Sequence, residues 1–283
     1  MPKMLRTLGA LIILMLMMSG VSATPTLWQT LADGLQYTVL QPSLHGRIYA
    51  FRIDPAKYDL SLAFARDTQD NPSSVSGASV EQLAKQSHAL IAVNGGFFTP
   101  NYQSLGLRIQ AGIMRSPIKP VSWWGVFYIR NHIPTIVSQR KFKETAGIYF
   151  AVQSGPRLVV NGAIPALKNT VDDRSALCIT KQQQIIIIVT QGSSLSMHDF
   201  ANLLSMPEHF GGLSCYNALN LDGGHSTQLY ANVGSMKLSI PNLSPVADAV
   251  IVVPRNKQAE AAQQQMQELT HNTMVFFPSC KQA

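Results

Sequence analysis

The sequence predicts an α+β fold, a single domain of many short strands in mixed or mostly antiparallel sheets with flanking helices. Short runs of β-branched and aromatic residues, bounded by Gly, Pro, Asn or Asp, recur along most of the 283 residues. Only two or three segments carry helical spacing. Strands and helices do not alternate, so the rhythm of a parallel sheet is missing. No Gly-rich fingerprint follows an early strand, which argues against a doubly wound nucleotide-binding fold.

Residues 1–23 stand apart from the fold. Lys3 and Arg6 precede an uncharged run from Leu8 to Met18, and Val21-Ser22-Ala23 puts small residues where signal peptidase reads them. The run has 11 residues, short of the ~18 that a membrane anchor needs. A signal peptide cleaved after Ala23 is expected, and with it an exported, periplasmic or secreted domain over 24–283, without stable membrane insertion. Removing those two cations lowers the formal charge from +7 by two, to +5, since the segment holds no acid. A modest positive surplus suits anionic substrates or envelope polymers. Without a Lys/Arg run or a reader motif it does not point to nucleic acid.

The domain core is expected over about 36–254. Strands are predicted at Gln36–Gln41, Arg47–Ile53, Tyr58–Phe64, Ala89–Val93, Leu107–Ile109 and Gly125–Arg130. Between them Asp67–Gly77 reads as a polar loop. Ser79 caps a helix whose inward face is Val80, Leu83, Ala84 and Leu90. The second half continues with Ile148–Gln153, Arg157–Val160, then a hairpin of Ser175–Thr180 and Gln184–Thr190. A helix follows over Met197–Ser205, with Phe200, Leu203 and Leu204 at helical spacing. Strands return at Ala218–Leu221, Thr227–Tyr230 and Ala249–Val253. The tail 257–283 is expected to be helical, over Lys257–Leu269. Three cysteines allow at most one internal bridge. Cys215 in a Gly-rich loop and Cys280 in the tail are free to meet, while Cys178, in an apolar strand pattern, is expected as a buried thiol.

Three segments depart from core-and-turn logic. In Ala92-Val93-Asn94-Gly95-Gly96-Phe97-Phe98 a buried strand ends in Asn and two glycines, where backbone amides can approach a ligand closely. The competing reading is a tight turn with a Phe-lined core. Arg174 leads into an apolar strand, and its fork suits a phosphate or carboxylate. Its alternative is a salt bridge to Asp172 or Asp173. In Leu221-Asp222-Gly223-Gly224-His225-Ser226-Thr227 a carboxylate closes an apolar strand, where burial and nearby donors tune it for acid–base work. The amides of Gly223 and Gly224 offer an anion nest. A turn Asp and an incidental His are the plainer alternative.

With Ser154-Gly155-Pro156-Arg157-Leu158-Val159 and Arg174-Ser175-Ala176, these stretches resemble the phosphodiester glycosidase family, and most closely its small exported bacterial branch. The four motifs span roughly Leu90 to Val253. The resemblance implies one site where they converge, with Asp222, Arg174 and Asn94 catalytic. Gly95, Gly96, Ser154, Gly155, Gly223, Gly224, His225, Ser226 and Thr227 would then bind substrate. Two positions depart from many relatives: Asp173 stands where Pro precedes the Arg, and His225 where a third Gly is common.

The reaction implied is hydrolysis of a sugar-1-phosphodiester or a phosphate-containing glycan. A phosphodiester leaves as a stable anion, so one carboxylate suffices where ordinary glycosidases use two. Asp222 would act as base or nucleophile. Arg174 and the glycine amides would hold phosphate, and Asn94 with Ser226 or Thr227 would orient sugar hydroxyls. The alternative is a non-catalytic glycan- or peptidoglycan-binding envelope module, with Trp123 or Trp124 as a stacking platform. No Gly-x-Ser-x-Gly elbow or Cys nucleophile context supports another hydrolase class. No cofactor is expected. The seven histidines lack ligand spacing, which leaves room only for a Ca²⁺ held by Asp222 and loop carbonyls.

Overall fold

The computed structural model describes residues 24–42, 46–65, 76–143, 145–193 and 195–255. The segment 1–23 expected as a signal peptide, the helix expected at Lys257–Leu269, Cys280 and most of the Asp67–Gly77 loop lie outside them. Seven strands form the largest sheet, in the order β1 (Gln29–Ala32), β2 (Leu35–Leu40), β3 (Arg47–Ile53), β13 (Ile185–Gln191), β12 (Ser175–Thr180), β14 (Cys215–Asn220) and β11 (Arg157–Val159). A second sheet runs β7 (Ile113–Ser116), β6 (Arg108–Gln110), β10 (Ile148–Ser154), β8 (Gly125–Arg130), β9 (Ile133–Ser138). The third runs β16 (Met236–Ile240), β15 (Leu229–Val233), β5 (Ile91–Asn94), β17 (Asp248–Pro254), β4 (Tyr58–Phe64). Each pairing between these strands is antiparallel, so the fold is α+β and poor in helix.

The three sheets close on one core. Phe51, Leu177, Ile187 and Leu219 from the first meet Phe127 and Phe150 from the second and Val93, Leu229 and Val250 from the third. The apolar run Ile185–Val189 follows from position. Ile185, Ile187 and Val189 face this core, while Ile186 and Ile188 face outward under α2 (Met197–Ser205). With both faces covered, no polar residue interrupts the strand.

Each α-helix covers the outer face of one sheet. On α2, Phe200, Ala201 and Leu204 pack against Ala50, Cys178 and Ile188. On α1 (Val80–Gln86), Val80, Leu83 and Ala84 pack against Ala92, Ala249 and Ile251. Ser79 caps α1 by accepting from the Gln82 amide at 3.1 Å. Leu90 lies beyond the helix and packs on the central core instead.

The cysteine expectation is corrected. Cys178 is not a thiol but bridges Cys215, with Cα atoms 5.7 Å apart. The reason is register. On neighbouring β12 and β14, Cys178 lies opposite Ala218 and Thr180 opposite Cys215, and a bulge between them swings the two sulfurs together under α2. Cys215 is the first residue of a strand, not a loop residue. A second correction concerns strands absent from the sequence reading, namely β1, β7, β9 and β16, each at an edge of its sheet.

Candidate active site

The ends of β5, β12 and β14 meet at one point, and hydrogen bonds account for it. The Leu221 amide donates to the Ser175 carbonyl at 2.8 Å, and the Asp222 amide to the Gly95 carbonyl at 3.1 Å. Asn94, wholly buried, ties all three together. Its Nδ2 donates to the Asp222 carbonyl at 2.8 Å, while its Oδ1 accepts from the Ser175 hydroxyl at 2.6 Å and the Gln228 amide at 3.2 Å. With donor and acceptor both spent inside the protein, Asn94 positions the site and does not reach a ligand. The idea that it orients sugar hydroxyls is replaced.

Beside this junction opens a cleft of about 620 Å³, which Asp222, Arg174, Gly155, Gly223 and Gly224 line together. Burial pushes the Asp222 carboxyl above its ordinary range, against hydrogen bonds from the Ser226 hydroxyl and the Gly223 amide that pull it down. Asp222 is therefore a carboxylate that accepts a proton more readily than a surface Asp. Burial also lowers the Arg174 guanidinium, and the Asp172 charge raises it. Arg174 as a whole residue is only 6% exposed. Its Nη2 donates to the Thr170 carbonyl and hydroxyl at 2.7 and 2.9 Å, and its Nε is buried without a hydrogen-bond partner. A buried donor without an acceptor costs free energy unless a ligand supplies one.

The salt-bridge alternative for Arg174 fails. Among the described residues no carboxylate lies within ion-pair distance of it. Asp173, expected to neutralise it, points away and accepts from the Gly192 and Ser193 amides, each at 3.0 Å. Asp172 stays in the cleft, exposed, as a second carboxylate that the sequence reading named only as an ion-pair partner.

The glycines serve packing rather than ligand approach. A Cβ on Gly95 would come within 1.7 Å of Asp248 Oδ1, and its amide donates to the Asp248 carbonyl. Asp248 forms an ion pair with Arg108, both buried, at 3.1 Å. Gly96 faces the same Arg108. Neither glycine lines the cleft. The Gly223 and Gly224 amides are likewise occupied, by the Asp222 carboxylate and the Asp173 carbonyl. Gly224 has φ +60 and a backbone so close to Asp172 that a side chain would collide. The anion nest is therefore absent, and Arg174 is left as the anchor for an anion. His225 is exposed and Thr227 buried outside the cleft, and Ser154 is buried behind it. Ser226 acts through Asp222.

Several lining residues were missed. Asn220 precedes Asp222 by two positions, and Thr170 with Lys168 belongs to the irregular segment between β11 and β12. Their signal was placement, since that segment joins two motif stretches. Among the described residues no group of three or more His, Cys, Asp or Glu is arranged to hold a metal. No helix among them is long and apolar enough to cross a membrane.

The chain is similar to several known proteins. A family model described as phosphodiester glycosidase matches residues 87–253. The chain is 31% identical over 136 residues to the Escherichia coli K12 "Uncharacterized protein YigE", which covers 44% of this chain and 53% of that one. It thus spans about half the length of that relative. By structure it is similar to the zebrafish N-acetylglucosamine-1-phosphodiester alpha-N-acetylglucosaminidase catalytic domain, auto-inhibited by its pro-peptide. The TM-score is 0.61, at 16% identity over 82% of this chain and 87% of that one. A hypothetical protein from Synechocystis gives a TM-score of 0.56 at 17% identity, over 82% of this chain and 64% of the other. At these identities the structural likeness speaks for the fold alone.

Proposed function

Because the chain belongs to the phosphodiester glycosidase family, we propose that it hydrolyses the glycosidic C–O bond of a sugar-1-phosphodiester. The observation that carries this reading is that the Arg174 side chain and the raised carboxyl of Asp222 line one cleft. Arg174 would take a phosphate oxygen. Asp222, ionised, would either accept a proton from the attacking water or attack the anomeric carbon itself, in which case water then displaces it from that carbon and frees the sugar. The C–O electron pair then leaves on phosphate, which carries it at neutral pH without a general acid. Export to an oxidising compartment is part of this proposal, and the buried Cys178–Cys215 bridge supports it.

Turnover of a sugar-1-phosphodiester in oxygen-18 water tests the reaction. Label in the released sugar is expected, and the anomer first formed tells base from nucleophile. Label in phosphate would mean P–O cleavage instead. Binding of the diester without turnover would favour the glycan-binding module.

A further inference from the structure

We infer that Arg108 and Asp248 are positioning residues for the reaction, a buried ion pair that seats the Asp222 turn from behind and couples it to the Phe97 wall of the cleft. This rests on the reading of Asp222 as the reacting carboxylate.

The pair joins two sheets beneath the site. Arg108 opens β6 of the second sheet, and Asp248 opens β17 of the third. Neither side chain is exposed, and the Arg108 Nε donates to both Asp248 carboxylate oxygens, at 3.2 and 3.1 Å. Charges removed from water need further hydrogen bonds to satisfy them. The Ser104 hydroxyl donates to Asp248 Oδ2. Arg108 Nη1 donates to the Leu107 and Gln153 carbonyls at 3.1 and 3.0 Å, and Nη2 to the Phe97 carbonyl at 3.4 Å. A well-packed apolar pair of similar volume would often be as stable. Stability alone therefore does not account for two charges at this place, and position does.

What the pair holds is the site. Ala249 lies opposite Asn94 at the end of β5, which brings Asp248 against Gly95. The Gly95 amide donates to the Asp248 carbonyl at 2.9 Å, and the Gly95 carbonyl accepts from the Asp222 amide at 3.1 Å. One residue thus separates the buried carboxylate from the reacting one. Arg108 reaches the other way. Phe97 lines the cleft, and Gln153 stands two positions before Gly155, which lines it too. The two glycines of the Asn94 motif fit this role. A Cβ on Gly95 would stand 1.7 Å from Asp248 Oδ1, and one on Gly96 2.8 Å from Arg108 Nη2. The ion pair fills the space that side chains there would need.

Charge acts along the same path. Asp222 shares the cleft with Arg174, Asp172 and Lys168, carries the exposed His225 on its own turn, and has Asp248 and Arg108 behind it. Burial raises the Asp222 carboxyl most, and the bonds from Ser226 and Gly223 lower it. The Asp248 charge then raises it further and the Arg108 charge lowers it, Asp248 being the stronger of the two.

The test reads Asp222 itself. Carboxyl carbon-13 NMR follows its titration in the whole protein, the resonance being assigned by its loss in Asp222→Asn. Asp248→Asn should make Asp222 titrate at lower pH than in wild type, because a negative neighbour is gone and Arg108 is left uncompensated. Adding Arg108→Met should bring the titration part of the way back. This double variant leaves no lone buried charge, so it should fold even if Asp248→Asn does not. It should melt near the wild-type temperature and still lose kcat on a sugar-1-phosphodiester by about tenfold or more, the scale of a slightly misplaced reacting group. An Asp222 titration that stays put or moves upward in these variants would overturn the inference. So would a double variant with wild-type kcat, or one too unstable to assay, which would make the pair plain scaffolding. If the wild type turns nothing over, the hydrolase reading fails while the titrations still decide this one.

Discussion

Asn94 Nδ2 donates to the main-chain oxygen of Asp222 at 2.8 Å, across 128 positions of sequence. The same side chain accepts from Ser175, the neighbour of Arg174. One amide thus ties the strand end before the carboxylate to the strand start after the guanidinium. Asn94→Ala would leave a carbonyl, a hydroxyl and an amide buried without partners. A loss of about 2–3 kcal/mol in urea denaturation is expected. Asn94→Asp, of the same shape but unable to donate when ionised, should fare no better. Wild-type stability in either variant would contradict this role.

Asp222→Asn separates chemistry from folding. The amide keeps the acceptor for the Gly223 amide but cannot take a proton, so kcat should fall by about 10²-fold or more. Stability should move the other way. The folded pKa of Asp222 is raised by burial, so its favourable contribution exists below the unfolded pKa and is lost as pH rises through the folded one. At neutral pH the ionised group burdens the fold, and the Asn variant should melt at a higher temperature than wild type. Near pH 3 that gain should vanish. A folded Asn variant with near-wild-type kcat would remove the central claim.

The same shift sets the pH profile of the wild type. Protonated Asp222 can be neither base nor nucleophile, so kcat/KM should rise with pH through the raised pKa. The acid limb is expected above the ~3.9 of an ordinary Asp. A limb at or below that value, measured with a diester that stays anionic throughout, would assign the titration to another group.

Asp172 is exposed in the cleft and adds negative charge near Arg174. Asp172→Asn should lower KM for an anionic diester about two- to fivefold at low ionic strength and hold kcat, because an exposed charge is screened by solvent. Salt should erase the difference. A collapse of kcat would instead make Asp172 the second carboxylate of an ordinary glycosidase pair.

The Cys178–Cys215 bridge closes a loop of 37 residues that carries the α2 layer. Replacing both by Ala should cost about 2–4 kcal/mol, read by thermal or urea melts. Thiol titration of the unfolded, unreduced chain should find one free thiol per molecule, and none or three would refute the pairing.

Central elements were legible in the sequence because their neighbours constrain them on both sides. The unbroken apolar run Ile185–Val189 and its hairpin partner Ser175–Thr180 follow from burial on two faces, and the residues show it. Of the edge strands, β4 and β11 were legible and four others were not. β1, β7, β9 and β16 each pair with one neighbour, tolerate polar or exposed side chains, and in β9 even a Pro134 that no central strand would accept.

What the sequence by itself determined is the chemistry available: a carboxylate after an apolar strand, a guanidinium before another, and four motifs in family order. Which of those groups face a ligand was decided by tertiary structure. Asn94 and the Gly95, Gly223 and Gly224 amides look free in a linear reading, yet each is consumed by a partner far away in sequence or fixed by local backbone geometry. Asn220, unremarkable in the chain, spends its donor on the Gly155 and Leu221 carbonyls. Hydrogen bonding saturates, so a group's use is known only after the fold has assigned its partners.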